Sequence, residues 1–203
     1  MASIYDLKPA FQNLLRPVVR WLAAHGVTAN QVTVAAFVLS AAAGAAVALW
    51  PERKEVLLLL PAVLFIRMAL NAVDGMLARE HGQASRLGAV LNELGDVLSD
   101  AVLYLPLAFV AGVSGWLVVP VVILAGATEF AGVLTKLEGG SRRYDGPMGK
   151  SDRAVVFGLL GVLGGFGVPL APWVDPILGL VCVLLVLTVV NRVRRGLAET
   201  PAR

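Results

Sequence analysis

The chain has 203 residues, of which 58% are hydrophobic and 15% are charged, and its mean hydropathy is +0.78. Soluble domains average about 45–50% apolar and about 25% charged residues, so this composition excludes an ordinary water-soluble domain. The formal net charge is +3, and the single cysteine excludes an intramolecular disulfide and a cysteine-based metal site. We therefore expect an all-α integral membrane protein, whose 21 glycines allow its helices to pack closely.

The predicted elements begin with an amphipathic segment and continue with six apolar stretches. Residues 4–24 place apolar side chains between Arg16 and Arg20, which predicts an interfacial helix lying on the membrane surface. A membrane-spanning helix needs about 20 mostly apolar residues. Stretches of that kind lie at about 30–50, 56–79, 87–112, 115–136, 151–170 and 173–192. The sequence therefore predicts six transmembrane helices in a single domain over residues 1–203.

The placement of basic residues predicts the orientation of the chain. Cytoplasmic loops are enriched in Lys and Arg. Most basic residues lie in the N-terminal arm, in the connections between spans two and three and between spans four and five, and in the C-terminal tail. The remaining connections have balanced charge or carry no Lys or Arg. Both termini are therefore expected on the cytoplasmic side of a bacterial-type inner membrane.

Spans two and three carry polar residues at a helical repeat. Arg67, Asn71 and Asp74 lie at i, i+4 and i+7 of the second span, so they share one face. The corresponding face of the third span contains Asn92, Asp96 and Asp100. An ionisable residue near the bilayer centre costs about 2.5–3.5 kcal/mol on insertion scales. Because a short loop makes the two spans antiparallel neighbours, these residues predict a polar cavity near the cytoplasmic surface.

The predicted cavity offers carboxylate and amide oxygens without His or Cys. Such hard ligands suit Mg²⁺, Mn²⁺ or Ca²⁺ rather than zinc. Gly75 beside Asp74 removes a side chain where a ligand approaches the backbone, and Ala78 repeats that opening one turn later. Alternatively, the polar residues only join helices through hydrogen bonds and an ion pair of Arg67. Helix packing rarely requires so many ionisable groups.

The stretch from Asn71 to Asp96 resembles the signature of the CDP-alcohol phosphotransferase family. That signature reads D-x-x-D-G-x-x-A-R and, after a short connection, G-x-x-x-D-x-x-x-D. The positions that match in register are Asp74, Gly75, Ala78, Arg79, Gly88 and Asp96. Asn71 and Asn92 replace the first and third family aspartates. The match lies on the expected second and third of six spans.

The resemblance implies an activity and a set of site residues. Family members transfer a phosphatidyl group from CDP-diacylglycerol to the hydroxyl of a small polar acceptor and release CMP, in phospholipid biosynthesis. The fourth family aspartate is the general base, which assigns that catalytic role to Asp96. The implied metal ligands are Asn71, Asp74, Asn92 and Asp96. The implied nucleotide-binding residues are Asp74, Gly75, Ala78, Arg79 and Gly88.

The two asparagines change what the implied metal site can hold. Each replacement removes one negative charge, although an Asn carbonyl still ligates a hard cation. We expect one firmly held Mg²⁺ or Mn²⁺ ion, and a second that binds only with the substrate phosphates. Glu93 and Asp100 are auxiliary candidates that can supply further oxygens, while Arg67 shifts the balance toward positive charge. Asp96 can alternatively serve as a plain metal ligand.

The connection between spans four and five is basic. Its sequence GKSDR resembles the family's basic motif, which lines the acceptor pocket. Lys150 and Arg153, at i and i+3, can grip a phosphate together, which favours glycerol 3-phosphate or an inositol phosphate as acceptor. Arg142 and Arg143 are further acceptor-binding candidates, although all four can instead be ordinary positive-inside charge. Glu129, inside the fourth span, either faces the cavity or satisfies a neighbouring helix.

The resemblance also implies partners. These are CDP-diacylglycerol, a small alcohol, membrane lipids and a second copy of the chain in a homodimer, and no nucleic acid is expected. Two other functions stay open. The asparagines also fit a catalytically impaired relative that binds nucleotide-lipid without turnover. A polar cavity alone would fit a small transporter, which the motif match disfavours.

Overall fold

A computed structural model describes residues 4–199; residues 1–3 and 200–203, which hold the ends of the basic arm and tail, lie outside the described part. Residues 4–199 contain no strand. Their α-helices are α1 (Ile4–Ala24), α2 (Ala29–Leu49), α3 (Leu59–Glu80), α4 (Arg86–Tyr104), α5 (Gly115–Leu137), α6 (Lys150–Gly165) and α7 (Val174–Glu199). A 3₁₀ turn at Lys54–Leu58 leads into α3, and another at Leu105–Phe109 extends α4.

The helices follow the predicted stretches closely, with three differences. α4 ends at Tyr104, before the predicted end at 112, because the chain continues as the 3₁₀ turn Leu105–Phe109. α6 ends at Gly165, before the predicted end, because glycines and a turn follow, with Gly167 at a φ of +88°. α7 continues beyond its predicted end to Glu199. Gly196 on that extension is buried against α5, where a Cβ would overlap Thr135 Cγ2, while the other added residues are exposed.

Within residues 4–199, four helical segments are long and apolar enough to cross a membrane. They are Ala29–Leu49, Lys54–Glu80, Gly115–Leu137 and Val174–Glu199. α4 fails that description because its apolar residues are interrupted by Glu93, Asp96 and Asp100. α6 has 16 residues, fewer than the roughly 20 that a span needs. The membrane character of the fold is confirmed, whereas the prediction of six spans is not.

Helix α1 has the predicted bounds, and its two faces differ. Val19 is fully buried against residues of α3, while Leu14 and Trp21 expose most of their side-chain surface. Arg16 forms an ion pair with Glu80 at the end of α3, at 3.0 Å. The helix is therefore tied to the end of α3 near the predicted site. Its location in the membrane interface stays a prediction.

Small residues set the closest helix contacts. α2 passes α4 at Gly44, where a side chain would overlap the backbone carbonyl of Val102. Tyr104 of α4 and Phe157 of α6 stack with ring centroids 3.9 Å apart in the buried core. These contacts hold α4 between α2 and α6, which fixes the polar face of α4 toward α3.

Replacing Gly44 with Ala should destabilise the protein by about 1–3 kcal/mol, the usual cost of adding atoms to a well-packed contact. The measurement is the apparent unfolding temperature of the purified protein in detergent. Gly179→Ala is the matched control, because nothing lies within 4 Å of a Cβ at that position of α7. Equal unfolding temperatures for Gly44→Ala and Gly179→Ala would contradict the close α2–α4 contact.

Candidate active site

A polar cavity of about 300 Å³ opens between α2, α3, α4 and the loop that joins α3 to α4. The sequence-predicted site residues that line it are Asn71, Asp74, Gly75, Ala78, Arg79, Gly88 and Asn92. The structure thus brings together all the nucleotide-binding candidates and three of the four metal-ligand candidates. The fourth, Asp96, lies beside the cavity.

Helix α2 forms one wall of this cavity, which the sequence reasoning missed. Asn30 and Thr33 of α2 line the cavity, together with Gln83 of the loop that follows α3. Thr33 Oγ1 donates a hydrogen bond of 2.8 Å to Asp74 Oδ2 and so fixes that buried carboxylate. Gln83 accepts a hydrogen bond of 2.7 Å from the backbone N–H of Ala29 and anchors the loop to α2. The available signal was the polar run TANQVT at the start of an otherwise apolar span.

Two glycines keep the cavity open. At Gly88, a Cβ would lie 2.7 Å from Asn30 Oδ1, so a larger residue would displace the Asn30 amide from its position on the cavity wall. A Cβ at Gly75 would lie 3.0 Å from Arg79 Nη1, so the glycine leaves room for the guanidinium one turn later. Both positions therefore require a missing side chain for the cavity to keep its shape.

Asp96 lies where α3, α4 and α6 meet. Asn71 Nδ2 donates to Asp96 Oδ1 at 3.3 Å, and Lys150 at the start of α6 forms an ion pair with the same oxygen. The side chains of Asp96 and Lys150 are 25% and 34% exposed, so both remain within reach of a ligand. Asp96 is therefore held in position without being enclosed.

The second cavity is an apolar groove of about 610 Å³ between α3 and α6. Its apolar walls include Leu64, Phe65, Met68, Ala154, Val155 and Leu159. Polar residues close one end, namely Arg67, Asn71, Asp100 and Lys150. Asn71 lines both cavities, so the polar cavity and the apolar groove meet at this residue, next to Asp96.

Arg67 is buried at the polar end of the groove. Its side chain is 3% exposed, and Nη1 donates to Asp100 Oδ1 at 3.0 Å. Within residues 4–199, Nε and Nη2 of Arg67 are buried and have no hydrogen-bond partner. An unsatisfied buried donor is costly unless a ligand completes it. Arg67 was expected to add positive charge at the metal site. It instead lines the apolar groove.

Glu129 lies among three arginines, a group that we call the Glu129 cluster. Its members besides Glu129 are Arg142, Arg153 and Arg192. Arg153 Nη2 lies 3.1 Å from Oε1, while Arg142 Nη2 and Arg192 Nη1 lie 2.9 and 3.3 Å from Oε2. Of the two expectations for Glu129, the structure fits the second: its carboxylate pairs with arginines of neighbouring segments rather than facing a cavity. Arg192 was missed because it reads as ordinary tail charge.

The auxiliary carboxylates are also paired with arginines. Asp100 Oδ2 accepts from Arg153 Nε and Nη2, at 3.2 and 3.0 Å. Glu93 forms two hydrogen bonds of 2.8 Å with Nε and Nη2 of Arg142. The structure thus does not place either carboxylate as a free oxygen donor to the metal. Asp100 faces arginines because it lies one turn deeper than Asp96.

The four acceptor-binding candidates do not converge on one point. Lys150 pairs with Asp96, while Arg142 and Arg153 belong to the Glu129 cluster. Arg143 instead contacts Asp145 at 2.7 Å and forms an ion pair with Glu199. Burial lowers the pKa of the Arg142 guanidinium, but its hydrogen bonds to Glu93 and Glu129 raise that pKa above its usual value. Arg142 therefore stays charged.

The donors near the polar cavity fit one hard cation. Asp74 and Asp96 supply carboxylates, and Asn71 and Asn92 supply amide oxygens, which are ligands that Mg²⁺ and Mn²⁺ accept. In the part of the chain that the structure describes, no three His, Cys, Asp or Glu side chains form a metal-binding group. Two carboxylates are few for two divalent ions, so the donor set fits one ion held by the protein alone.

Curated relatives cover most of the chain. It is 47% identical over 192 residues to the inner membrane protein YnbA of Escherichia coli K12, covering 95% of both chains. It is 27% identical over 196 residues to the phosphatidylinositol phosphate synthase of Mycobacterium bovis, covering 93% of this chain and 86% of the relative. A shorter match covers 47% of this chain and 48% of the archaetidylinositol phosphate synthase of Pyrococcus horikoshii, at 32% identity over 95 residues.

Solved structures share the fold. The phosphatidylinositol phosphate synthase of Mycobacterium tuberculosis in complex with manganese and citrate superposes with a TM-score of 0.75 at 24% identity, covering 90% of this chain and 88% of that one. The same enzyme with CDP-DAG bound gives a TM-score of 0.74 at 23% identity, covering 89% and 92%.

The sequence also matches a family model. The model described as CDP-alcohol phosphatidyltransferase matches residues 26–187, which include both cavities and the motif residues between them. The match extends over more than half of the chain, and the Escherichia coli relative extends over nearly all of it. The family resemblance seen in the motif is thereby confirmed: the chain belongs to the CDP-alcohol phosphatidyltransferase family.

Proposed function

We propose that this protein transfers the phosphatidyl group of CDP-diacylglycerol to the hydroxyl of a small polar alcohol and releases CMP. One observation carries the proposal: the polar cavity with the motif residues meets the apolar groove at Asn71, beside Asp96. CDP-diacylglycerol has the same division, with a nucleotide and diphosphate at one end and acyl chains at the other. Its reacting phosphorus would lie at the junction.

The donor would use both cavities. The nucleotide and diphosphate occupy the polar cavity, where Asp74, Gly75, Ala78, Arg79 and Gly88 form the walls. An acyl chain lies along the apolar groove between α3 and α6. At the junction, the unpartnered nitrogens of Arg67 donate charge-assisted hydrogen bonds to a phosphoryl oxygen. This contact would satisfy donors that the protein itself leaves unpaired.

The residues that would hold the divalent cation are Asn71, Asp74 and Asn92, while Asp96 beside them would stay unliganded as the proposed base. The cation is Mg²⁺ or Mn²⁺, and we propose one firmly held ion. When bound, it supplies positive charge against the negative charge that develops on the phosphoryl oxygens. The named relative from Mycobacterium tuberculosis was solved with manganese, which supports a divalent cation in this family.

Asp96 is the proposed general base. It accepts the proton of the acceptor hydroxyl while the hydroxyl oxygen bonds to the phosphorus that carries diacylglycerol, and the bond from that phosphorus to CMP breaks. Lys150 and Asn71 hold the Asp96 carboxylate beside the junction. Lys150 also adds a positive charge near the reacting phosphoryl group.

The membrane arrangement completes the proposal. α4 continues through its 3₁₀ turn to Phe109, and its outer face exposes apolar side chains, namely Leu87, Val90, Leu94, Leu98, Leu105 and Phe109. α6 likewise exposes Val155, Leu159, Leu163 and Phe166. Such faces suit lipid, so we propose that α4 and α6 complete six spans of one domain, with both termini cytoplasmic. We also propose a homodimer in an inner membrane, the location named for the Escherichia coli relative.

The acceptor is the finer part of the proposal. The charge of the basic loop favours a phosphorylated acceptor such as glycerol 3-phosphate or an inositol phosphate, and two relatives are named as archaetidylinositol phosphate synthase and phosphatidylinositol phosphate synthase. Because Arg142 and Arg153 pair with Glu129, the proposal extends only to a small polar alcohol. A second candidate function is a nucleotide-lipid binding protein without turnover, which the two asparagines favour because they leave the metal site short of charge.

Asp96→Asn should lower CMP release by about 10²–10⁴-fold, because the hydroxyl loses its general base. The assay uses purified protein in detergent with CDP-diacylglycerol, Mg²⁺ or Mn²⁺ and a panel of alcohols. Glu52→Gln removes a carboxylate from an exposed connection and serves as the control, with unchanged release expected. If no alcohol gives more CMP with the unmodified protein than with Asp96→Asn, the protein is the binding protein rather than the enzyme.

The double variant Asn71→Asp, Asn92→Asp should bind Mn²⁺ at least about tenfold more tightly, because it restores two negative charges at the ligand positions. The measurement is direct Mn²⁺ titration by electron paramagnetic resonance, which needs no turnover. Asn13→Asp, an identical chemical change on α1, should leave the affinity unchanged. Equal affinities for the double variant and the unmodified protein would place the ion elsewhere.

A further inference from the structure

The Glu129 carboxylate lies among arginines that include two of the sequence-predicted acceptor-binding residues, Arg142 and Arg153. Arg142, Arg153 and Arg192 all direct a guanidinium nitrogen to its two oxygens, within 2.9–3.3 Å. Several guanidiniums converging on one small anion is the arrangement that proteins use for phosphate. Here the anion belongs to the protein itself. We propose that Glu129 takes the place of an acceptor phosphate, so that the acceptor is an unphosphorylated alcohol; this rests on the proposed transferase function.

The nitrogens of Arg153 are all committed to the protein. Nε and Nη2 donate to Asp100, Nη2 also donates to Glu129, and Nη1 donates to Thr128 Oγ1 at 3.3 Å. The side chain is 2% exposed. A phosphate could approach this guanidinium only by displacing a carboxylate that is itself buried.

Arg142 and Arg192 are committed in the same way. Arg142 Nε and Nη2 donate to Glu93, Nη2 also donates to Glu129, and Nη1 donates to the backbone carbonyl of Arg143 at 2.8 Å. Arg192 Nε donates to the carbonyl of Asp145 at 3.2 Å, and Nη1 donates to the carbonyl of Thr128 and contacts Glu129. The guanidinium nitrogens that reach Glu129 therefore already donate to other groups of the protein as well.

Most of the local positive charge is also neutralised. The three arginines face three carboxylates, Glu129 together with Glu93 and Asp100, although Asp100 is shared with Arg67. The side chain of Glu129 is 9% exposed, so water does little to screen it. A phosphate dianion placed beside this carboxylate would be repelled at short range in a region of low dielectric constant. The cluster therefore disfavours a second anion.

The Glu129 cluster borders the proposed general base. On α4, Asp100 lies one turn from Asp96, and on α6, Arg153 lies one turn from Lys150. An acceptor whose hydroxyl reaches Asp96 would therefore extend toward this wall. Arg67, by contrast, has unpartnered nitrogens, and it lines the groove where the donor lipid is proposed to lie. The acceptor side offers neutralised arginines, which suits the hydroxyls of a polyol.

The first test compares acceptors that differ only by a phosphate. Purified protein in detergent with CDP-diacylglycerol and Mn²⁺ receives glycerol or glycerol 3-phosphate, and myo-inositol or inositol phosphate, and CMP release is measured. The unmodified protein should use one of the unphosphorylated alcohols at least about tenfold better than its phosphate ester. Preference for a phosphate ester would overturn the proposal.

The second test measures binding of inorganic phosphate by isothermal titration calorimetry, without turnover. Glu129→Gln keeps the size of the side chain and removes its charge, so this variant should gain saturable phosphate binding that the unmodified protein lacks. The ratio of CMP release with glycerol to CMP release with glycerol 3-phosphate should also fall by about tenfold or more in this variant. Glu52→Gln, which removes the same charge from an exposed connection, should behave like the unmodified protein.

The two assays fail in different ways. If no alcohol supports CMP release, the transferase function is wrong, and phosphate binding still decides whether Glu129 blocks an anion site. A folded Glu129→Gln protein that gains no phosphate binding would overturn the inference. If that variant does not fold, the unmodified protein decides: saturable phosphate binding overturns the inference, and its absence supports it.

Discussion

A charged side chain buried inside an apolar helix bundle must have a partner, and this requirement organises one end of the molecule. Asp100 of α4 is shared by Arg67 of α3 and Arg153 of α6. Arg153 also reaches Glu129 of α5, which in turn holds Arg192 of α7. Breaking such a buried pair leaves an uncompensated charge at a cost of about 3–5 kcal/mol. The pairs therefore fix α3 through α7 relative to one another.

This network also decides which carboxylates are free to act. Asp96 and Asp100 lie one turn apart on α4, yet Asp96 is 25% exposed and Asp100 is 7% exposed. The deeper residue is enclosed by two arginines, while the outer one faces the junction of the two cavities. Asp74 on α3 is buried, and it accepts a hydrogen bond from the hydroxyl of Thr33. One helical turn thus separates a structural carboxylate from a candidate catalytic one.

Small residues make the remaining geometry available. Gly44 lets α2 approach the backbone of α4, and Gly88 keeps Asn30 at the cavity wall without a clash. Because α2 comes this close, Thr33 reaches Asp74 and the cavity gains a third wall. The site therefore depends on helix contacts outside the motif as much as on the motif residues themselves.

Local sequence patterns were sufficient to predict the helices, the family and the cavity residues on α3 and α4, but not the wall formed by α2. Hydrophobic stretches and the i, i+4 spacing are local properties, so they survive without any knowledge of packing. Asn71, Asp74 and Gly88 were placed together because one short loop joins their helices. The sequence also showed the loss of two family aspartates, which is a matter of residue identity alone.

The pairing of the charges, in contrast, follows from tertiary contacts. Glu129 and Arg192 are far apart along the chain, so no spacing rule predicts that they meet. Glu93 and Asp100 pair with arginines, so these two carboxylates are not the free metal ligands that the sequence suggested. The apolar groove likewise exists only because α3 lies beside α6. Ion pairs and cavities arise from contacts between distant segments, and those contacts are fixed by packing rather than by local sequence.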